Sequence, residues 1–354
     1  MSSQIEIGGR LVGEDAPPMI IAEAGVNHDG SPEQARRLVE AAAQAGADAV
    51  KFQTFHADAI ATADAGQVAY QRARSPSATQ RDMLRALELP DAAWQPLAEE
   101  AAARGLIFLS TPFDARSAVL LADLGVAAFK VGSGDLTNLV LLRRLAGYGR
   151  PLLVSTGMAT MDEVDAAVAD LRAHGDPPLV LLHCTSAYPA PLSDANLRAM
   201  VAMRQRYGVP IGYSDHTLGI GAALAAAALG AAVIEKHLTL DRAAPGPDHA
   251  ASLEPDEFAA MVRGVRETVA ALGSGRKQPT AAELETRQLV RRALVLTRAV
   301  PAGEPLGVDD LDALRPADGI SPLRLDEVAG RRAARDLQAG RPLSAEDLDP
   351  PLDG

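Results

Sequence analysis

The chain has 354 residues, of which 47% are hydrophobic and 23% are charged, a composition typical of a globular protein long enough for a large domain and a small one. Its net charge of −12 argues against a nucleic-acid partner, because binding a phosphate backbone requires a basic surface. No apolar run approaches the ~20 residues of a membrane span, and one cysteine excludes an internal disulfide framework, so we expect a cytoplasmic protein without a membrane partner.

The first predicted element is a β-hairpin over 4–13. Two alternating segments, IEI and RLV, flank Gly8 and Gly9, and such a glycine pair is typical of a two-residue hairpin turn. We expect this hairpin to close the bottom of the domain that follows.

Eight short apolar runs follow, separated by stretches with helical patterns, and each run ends in polar side chains. In chain order the runs are MIIAEAGVNH, DAVKFQ, GLIFLST, AAFKVGSGD, PLLVSTGM, LVLLHCTSAYP, VPIGYSDH and AAVIEKH. Strand and helix patterns that alternate eight times predict an α/β protein with a (β/α)8 TIM barrel, here over 1–273. The active site of that fold lies at the C-terminal ends of the strands, where these polar side chains are gathered. The sequence therefore predicts an enzyme.

The longest departure from the barrel pattern is the segment 57–92, after the second run. It carries Tyr70, Arg72 and Arg74, and its length is typical of an active-site lid.

The tail of the chain contains an internal repeat. After the last barrel helix, predicted over 256–272, the polar and turn-rich stretch 274–288 predicts a linker. In the remaining 289–354, TRAVPAGEPLGVDDLD (297–312) aligns with ARDLQAGRPLSAEDLD (334–349), and eight of the 16 positions are identical at an offset of 37. Each copy predicts a strand, a glycine turn, a short strand and a brief helix, and two such copies form one small pseudo-symmetric β domain.

Two histidines end the seventh and eighth runs. His216 and His237 would lie on adjacent barrel strands, so that both imidazoles converge above the core. Two histidine ligands leave coordination positions open, which suits Lewis-acid catalysis on a bound carbonyl. The alternative is a pair of partly buried, hydrogen-bonded histidines. Ligand softness alone favours zinc or iron over magnesium.

Two lysines and several hydroxyl groups lie at the ends of the other runs. Lys51 and Lys130 offer positive charge, and the hydroxyl groups offer directional hydrogen bonds, a combination that suits a bound phosphate. These hydroxyl groups belong to Thr111, Ser133, Ser155 and Ser214. A lysine at a strand end could instead form a Schiff base, as in lyases. Two lysines among hydroxyl groups, near a candidate metal site, favour the phosphate.

Three carboxylates follow strands or lie in the loops after them. Glu23, Asp135 and Asp248 could orient sugar hydroxyl groups, move protons or hold a metal-bound water. The alternative for each is a helix N-cap or a structural salt bridge. Cys184 is expected to be a buried packing residue.

Together these motifs resemble the sialic acid synthase family, whose members condense phosphoenolpyruvate with an N-acetylated mannosamine-type sugar. The repeat-bearing tail resembles the C-terminal SAF (antifreeze-like, β-clip) domain of that family. The resemblance is carried, in family order, by IAEAGVNHDG, ADAVKFQTF, FLSTPFD, FKVGSGDLTN, STGMAT, LLHCTSAYP, IGYSDHTLGI, IEKHLTLD and PGPDHAASLEPDE.

The resemblance implies a role for each matching residue. His216 and His237 are implied to hold Mn²⁺ or Mg²⁺, which replaces the preference for zinc or iron. The residues implied to bind phosphoenolpyruvate are Lys51, Thr111, Lys130, Ser133, Ser155, Ser186 and Ser214. The residues implied to contact the sugar are Gln53, Asp135, Tyr188, Asp248 and Arg315. The residues implied to take part in catalysis are Glu23, Asp135, Asp248 and Arg315.

Three positions carry further implications. Ser186 stands where some members have Asn, and Asp135 stands where many bacterial members have Glu. Arg315, between the two repeat copies, matches an arginine that reaches from the tail of one subunit into the barrel of its partner, which implies a domain-swapped homodimer.

The resemblance predicts a synthase that makes a nine-carbon sialic-type acid and releases phosphate by C–O cleavage. The first expected acceptor is N-acetylmannosamine, giving N-acetylneuraminate. The alternatives are its 6-phosphate, giving an N-acylneuraminate 9-phosphate, and 2,4-diacetamido-2,4,6-trideoxymannose, giving N,N′-diacetyllegionaminate. A Schiff-base aldolase using Lys51 would need no metal, and a non-catalytic sugar-acid binder should lack part of the metal or phosphate set.

Overall fold

The computed structural model describes residues 4–68, 72 and 77–353. The chain divides into two units, Met1–Gly273 and Ser274–Gly354. The boundary follows the residue at which the barrel domain was predicted to end.

The chain begins with the predicted hairpin, in which β1 (Gln4–Ile7) pairs antiparallel with β2 (Arg10–Gly13). Gly8 and Gly9 both have positive φ, as a tight hairpin turn requires. Ile7 and Val12 are fully buried in the same cluster as residues from the starts of the barrel strands. The hairpin therefore closes one end of the barrel interior, as predicted.

The eight predicted strand runs are confirmed. Within the described residues, the first unit contains eight parallel strands in the order β5-β4-β3-β10-β9-β8-β7-β6, and the two end strands β5 and β6 lie side by side, so the barrel is nearly closed. The strands are β3 (Met19–Gly25), β4 (Ala49–Thr54), β5 (Ile107–Pro112), β6 (Phe129–Val131), β7 (Leu152–Ser155), β8 (Leu179–Cys184), β9 (Ile211–Asp215) and β10 (Val233–His237).

Helices alternate with these strands and cover the outer face of the barrel. They are Pro32–Gln44, Trp94–Ala103, Ala115–Asp123, Leu139–Ala146, Met161–Ala173, Arg198–Tyr207, Gly221–Ala228 and Pro255–Leu272. Local sequence sets several of their starts: Ser31 and Asp114 accept hydrogen bonds from backbone N–H groups of the first turn, and Thr160 forms a capping box with Glu163. The main apolar core lies between these helices and the sheet. No helix in the described part of the chain is long and apolar enough to cross a membrane.

The predicted lid segment contains two short helices, Ala57–Ile60 and Gln80–Leu87. Arg72 is exposed, whereas Tyr70 and Arg74 lie outside the described residues.

In the second unit, the predicted linker is not wholly irregular. Residues Ala281–Val290 form an exposed helix, which starts with a capping box between Thr280 and Glu283. The T-x-x-E pattern at the start of this helix is a typical N-terminal signal, which the sequence analysis did not use. The remaining elements are β11 (Ala293–Leu296), β12 (Leu311–Leu314), the helix Leu325–Val328, β13 (Arg332–Ala333) and β14 (Leu348–Asp349).

The repeat appears in the structure as a two-fold pattern of backbone hydrogen bonds. Val300 and Leu337, which are 37 positions apart, exchange N–H···O bonds of 2.9 and 2.8 Å. Two other pairs of bonds are related by the same offset. The bond from Thr297 N–H to Asp310 O corresponds to the bond from Ala334 N–H to Asp347 O. The bond from Gly303 N–H to Ala333 O corresponds to the bond from Gly340 N–H to Leu296 O. In each copy a β-bridge residue, Pro305 or Pro342, precedes a 3₁₀ turn, Val308–Asp310 or Ala345–Asp347, and a further short strand follows that turn.

Candidate active site

A cavity of about 410 Å³ lies at the C-terminal ends of the barrel strands. This is the end at which the sequence places its polar side chains, so residues far apart in the chain meet there. The predicted site residues that line it are Glu23, Lys51, Gln53, Thr111, Lys130, Ser133, Ser155, Ser186, Tyr188, Ser214, His216, His237 and Asp248.

Lys51 is buried in the cavity floor beside two carboxylates. Its Nζ lies 2.7 Å from Oε2 of Glu23 and 3.8 Å from Oε1 of Glu235. It also donates a 3.3 Å hydrogen bond to Oγ1 of Thr111. This lysine is therefore held on several sides before any ligand binds.

Lys130 shares the second of these carboxylates. Its Nζ lies 3.5 Å from Oε1 of Glu235 and donates a 2.8 Å hydrogen bond to Oγ of Ser155. The same Oε1 accepts a 2.9 Å hydrogen bond from Ser214. We refer to Lys51, Lys130, Glu23 and Glu235 as the lysine cluster.

Burial and mutual attraction set the protonation of this cluster. Burial raises the pKa of Glu23 to about 7, although Lys51 opposes the shift. Burial also acts against the charge of Lys51, but Glu23 and Glu235 outweigh it and raise the lysine pKa. The pKa of Glu235 is lowered because Lys130 and Lys51 outweigh burial, whereas burial lowers the pKa of Lys130. With a pKa of about 7, Glu23 can gain or lose a proton near neutral pH.

Beside the cluster, small residues form a polar cradle. The Gly157 N–H donates a 3.0 Å hydrogen bond to Oγ of Ser133, which lies 3.1 Å from Sγ of Cys184. Oγ of Ser186 is buried and has no hydrogen-bond partner within the described residues. An orphaned hydroxyl group in a cavity wall indicates a place for a polar ligand.

The two histidines lie on neighbouring strands, as predicted, with ring centroids 5.4 Å apart. His216 donates from Nδ1 to the Thr185 carbonyl oxygen at 2.7 Å, which leaves the Nε2 lone pair free to bind a ligand. Nδ1 of His237 is buried without a hydrogen-bond partner in the described chain. Burial lowers the pKa of His216 to about 4 and that of His237 well below its usual value, so both rings are neutral.

This donor set fits a divalent cation, because neutral, oriented imidazoles are good metal ligands. Within residues 4–68, 72 and 77–353, no group of three or more His, Cys, Asp or Glu side chains is arranged to hold a metal. A cation here would therefore draw only part of its coordination shell from the protein, and substrate or water oxygens would complete it.

The rest of the cavity lining contains polar side chains that suit sugar hydroxyl groups, and it also contains a set of apolar side chains. The rings of Tyr188 and His216 are tilted by 38° to each other, with centroids 4.2 Å apart, and burial raises the pKa of Asp248 to about 6. Loops after β3 and β4 and the lid segment contribute apolar side chains to the cavity lining. We call these the apolar wall: Val26, Phe55, Ile60, Met83, Leu84 and Leu87.

Two predicted site residues stand apart from this set, one in the first unit and one in the second. Asp135 lies on a 3₁₀ turn, Ser133–Asp135, and accepts a 3.0 Å hydrogen bond from Asn138. Burial raises the pKa of Asp135. Arg315 belongs to the second unit, where it follows β12 and is exposed.

Asn27 and His28, also noted at the end of the first run, have packing roles. Asn27 donates 2.9 Å hydrogen bonds to Leu238 O and Ser252 Oγ, which tie the β3 loop to the loop after β10. His28 is 1% exposed and accepts a hydrogen bond from the Gly30 N–H. Burial lowers the pKa of His28 to about 4.

Glu235 lies at the end of the eighth run, but the sequence analysis gave it no role in the site. It lies two residues before His237 on β10, and side chains two apart on a strand face the same side. The alternation of side chains along β10 therefore indicated that Glu235 faces the same side as His237.

Comparison with known proteins places these features in a family. Residues 38–277 match the model of the NeuB family, and residues 291–349 match the model of the SAF domain.

Individual proteins are similar over nearly the whole chain. The N,N′-diacetyllegionaminic acid synthase of Legionella pneumophila is 43% identical, covering 99% of this chain and 100% of that protein. The Campylobacter jejuni protein of the same name is 42% identical, covering 90% of this chain and 97% of that protein. A crystal structure of the N-acetylneuraminic acid synthetase from Leptospira borgpetersenii, in complex with citrate, matches with a TM-score of 0.72 and 35% identity, covering 81% of this chain and 95% of that chain.

The polar cradle yields a steric prediction for Gly157→Ala. The added methyl group would collide with Ser186 Oγ and lie 2.8 Å from both Ser133 Oγ and Cys184 Sγ, so the hydroxyl groups must move. Loss of one charge-assisted hydrogen bond, roughly 1.5–3 kcal/mol, should weaken phosphoenolpyruvate binding about 10-fold or more in calorimetry. Gly221→Ala is the control, because its methyl group meets no atom within 4 Å. Unchanged affinity in Gly157→Ala would place the anion site elsewhere.

His28 yields a prediction for stability against pH. Between its folded pKa of about 4 and the usual 6.5, the folded chain binds fewer protons than the unfolded chain, so stability falls as pH falls through this window. Urea unfolding should show that the parent loses about 2 kcal/mol more than His28→Gln between about pH 7.5 and pH 5. Parallel pH curves for the two proteins would contradict a buried neutral imidazole.

Proposed function

Because the chain belongs to the NeuB family and carries a C-terminal SAF domain, we propose that it is a transferase that condenses phosphoenolpyruvate with an N-acylated mannosamine-type sugar. Carbon 3 of phosphoenolpyruvate bonds to the aldehyde carbon of the sugar, water adds at carbon 2, and phosphate leaves with C–O cleavage. The product is a nine-carbon sialic-type acid. The observation that carries the proposal is one cavity in which the lysine cluster lies beside two neutral histidines.

The lysine cluster and the polar cradle suit phosphoenolpyruvate. Lys51 and Lys130 supply charge for its phosphate and carboxylate groups, and hydroxyl groups on neighbouring strand ends supply directional hydrogen bonds. These groups are already hydrogen-bonded to one another, so they need little reorganisation when the anion enters. The chain positions the reactants rather than forming a covalent bond to them.

Glu23 is the proposed proton carrier. Its carboxyl group accepts a 3.3 Å hydrogen bond from Gln53 and pairs with Lys51. With a pKa of about 7, it can take a proton at Oε from the water that adds to carbon 2.

We propose that His216 and His237 hold the divalent cation, Mn²⁺ or Mg²⁺. Bound there, it would supply Lewis-acid polarisation of the acceptor carbonyl oxygen. Tyr188 and Asp248, next to the histidines, orient the hydroxyl groups of the same sugar.

The apolar wall favours one acceptor among the three expected. A sugar whose aldehyde carbon lies at the strand ends must extend toward the loops and the lid segment beyond them, and these contribute the wall. The methyl end of 2,4-diacetamido-2,4,6-trideoxymannose would be buried there favourably, whereas a 6-phosphate would bring a dianion against apolar side chains. Among the described lining residues, Lys51 and Lys130 are the only Lys or Arg, and both are engaged with carboxylates. We therefore rank the trideoxy sugar first and the 6-phosphate last.

The tail is proposed to act across a homodimer. In a two-fold symmetric dimer each tail can reach the partner's barrel, and both exchanges are equivalent. Arg315 would then contact the sugar in the partner's cavity. Its position after β12, between the repeat copies, leaves its side chain exposed for such a contact.

The function is tested by phosphate release from phosphoenolpyruvate with each of the three sugars and Mn²⁺. We expect the trideoxy sugar to have a kcat/KM roughly 10–100-fold above that of N-acetylmannosamine, since an added hydroxyl group in an apolar pocket is discriminated by about that factor. Excess chelator should abolish turnover, and Mn²⁺ or Mg²⁺ should restore it.

Each result bears on a separate part of the proposal. No release with any sugar would contradict the synthase function. Full activity in excess chelator would contradict the metal site, and fastest turnover of the 6-phosphate would contradict the ranking.

The swapped dimer is tested by mixing Arg315→Ala and His237→Ala chains, each inactive or nearly so alone. A mixed dimer then holds one cavity with both defects and one with neither. Random exchange should restore about one quarter of the parent activity. No rescue, after subunit exchange has been confirmed by mass spectrometry, would show that each tail serves its own barrel.

A further inference from the structure

A buried ion pair lies behind the two histidines, on the opposite face of the same strands. Lys236 Nζ lies 2.8 Å from Asp215 Oδ2, and both side chains are 0% exposed. His216 and His237 face the cavity, so the residues just before them face the helical layer. The proposed reaction makes no use of this pair of charges.

The pair holds the backbone on both sides of His216. Asp215 Oδ1 accepts hydrogen bonds from Thr217 N–H at 2.9 Å and Thr217 Oγ1 at 2.8 Å. Lys236, from the neighbouring strand, also donates to the Thr217 carbonyl oxygen. Asp215 and Thr217 are therefore both bonded to Lys236, the residue that precedes His237.

A second cross-strand bond lies on the cavity face. Ser214 and Glu235 are direct register partners on β9 and β10, as are Asp215 and Lys236, and Ser214 Oγ donates to Glu235 Oε1 at 2.9 Å. Two side-chain bonds on opposite faces thus fix the register of these strands just before each histidine.

Stability alone does not account for the ion pair. The surrounding layer is largely apolar, with an alanine-rich helix, Gly221–Ala228, packed on β9 and β10, and Tyr213 adds a side-chain hydrogen bond to Asp215. Two charges buried in such a layer lose their hydration, and an apolar pair of similar volume is often as stable or more so. The specific arrangement of hydrogen bonds around His216 points to a geometric role.

We infer that Asp215 and Lys236 are positioning residues that set the separation and orientation of the His216 and His237 imidazoles toward the divalent cation. This inference rests on the metal site of the proposed function. The pair acts on the histidines through the backbone and does not touch substrate or metal.

The test is Mn²⁺ binding to the full-length double variant Asp215→Asn/Lys236→Met, measured by electron paramagnetic resonance without substrates. This variant removes both charges, keeps similar volumes and retains an oxygen acceptor for Thr217. Loss of partners that orient metal ligands typically weakens metal binding about 10–100-fold, and we expect that range here. The KM for phosphoenolpyruvate should change less than about 3-fold, whereas added Mn²⁺ should raise the lowered kcat.

A control is Arg10→Met/Asp48→Asn, which removes a less buried ion pair of 2.9 Å from the region of the N-terminal hairpin. It should keep the parent's Mn²⁺ affinity even if its melting temperature falls. If Asp215→Asn/Lys236→Met does not fold, Thr217→Val, which removes the bond from Thr217 Oγ1 to Asp215 Oδ1 and keeps the ion pair, should also weaken Mn²⁺ binding.

The outcomes separate this inference from the proposed function. A folded variant that binds Mn²⁺ within about 3-fold of the parent would overturn the positioning role, since loss of an orienting partner exceeds that. A parent protein that binds no Mn²⁺ would overturn the metal assignment and the positioning role with it, while phosphate release with the three sugars still tests the synthase function.

Discussion

Glu235 makes it possible for two lysines to share one buried floor. Ammonium groups in a low-dielectric cavity repel each other, and each also loses hydration. Oε1 of Glu235 lies within 3.8 Å of both Lys51 and Lys130, and Glu23 adds a second carboxylate beside Lys51. The cluster is thus held together by alternating charges. The rest of the site depends on this arrangement, because a multiply charged anion needs positive charge in the cavity. The two carboxylates allow the buried lysines to supply that charge.

This balance also explains the division of roles between the two acids. Glu235 contacts both lysines, so its pKa is lowered and it stays ionised. Glu23 pairs with one lysine, and burial prevails and raises its pKa. The different contacts of these two carboxylates therefore explain their different pKa values. Glu235 serves to hold the lysines, and Glu23 serves to carry a proton.

The sequence predicted those parts of the molecule that depend on periodicity and strand order. The eight strands, the hairpin and the adjacency of His216 and His237 follow from local patterns and from barrel topology. Glu235 was within reach of the same reasoning, since strand alternation places it beside His237. The orientation of Asp135 could not be predicted in this way, because the short turn that holds it directs its carboxylate to Asn138. The apolar wall was also beyond reach, because it is assembled from the β3 and β4 loops and the lid helices, whose meeting no local pattern encodes.

The reciprocal bonds between Val300 and Leu337 have a consequence for how this small fold is completed. Each repeat copy completes the backbone pairing of the other, so a chain with a single copy would leave the Val300 N–H and C=O groups without partners. Such a chain could close this small fold only by pairing with a second, identical one. The tail therefore has the pairing pattern of a two-fold dimer whose two halves are joined in one chain, so that their contact does not depend on protein concentration.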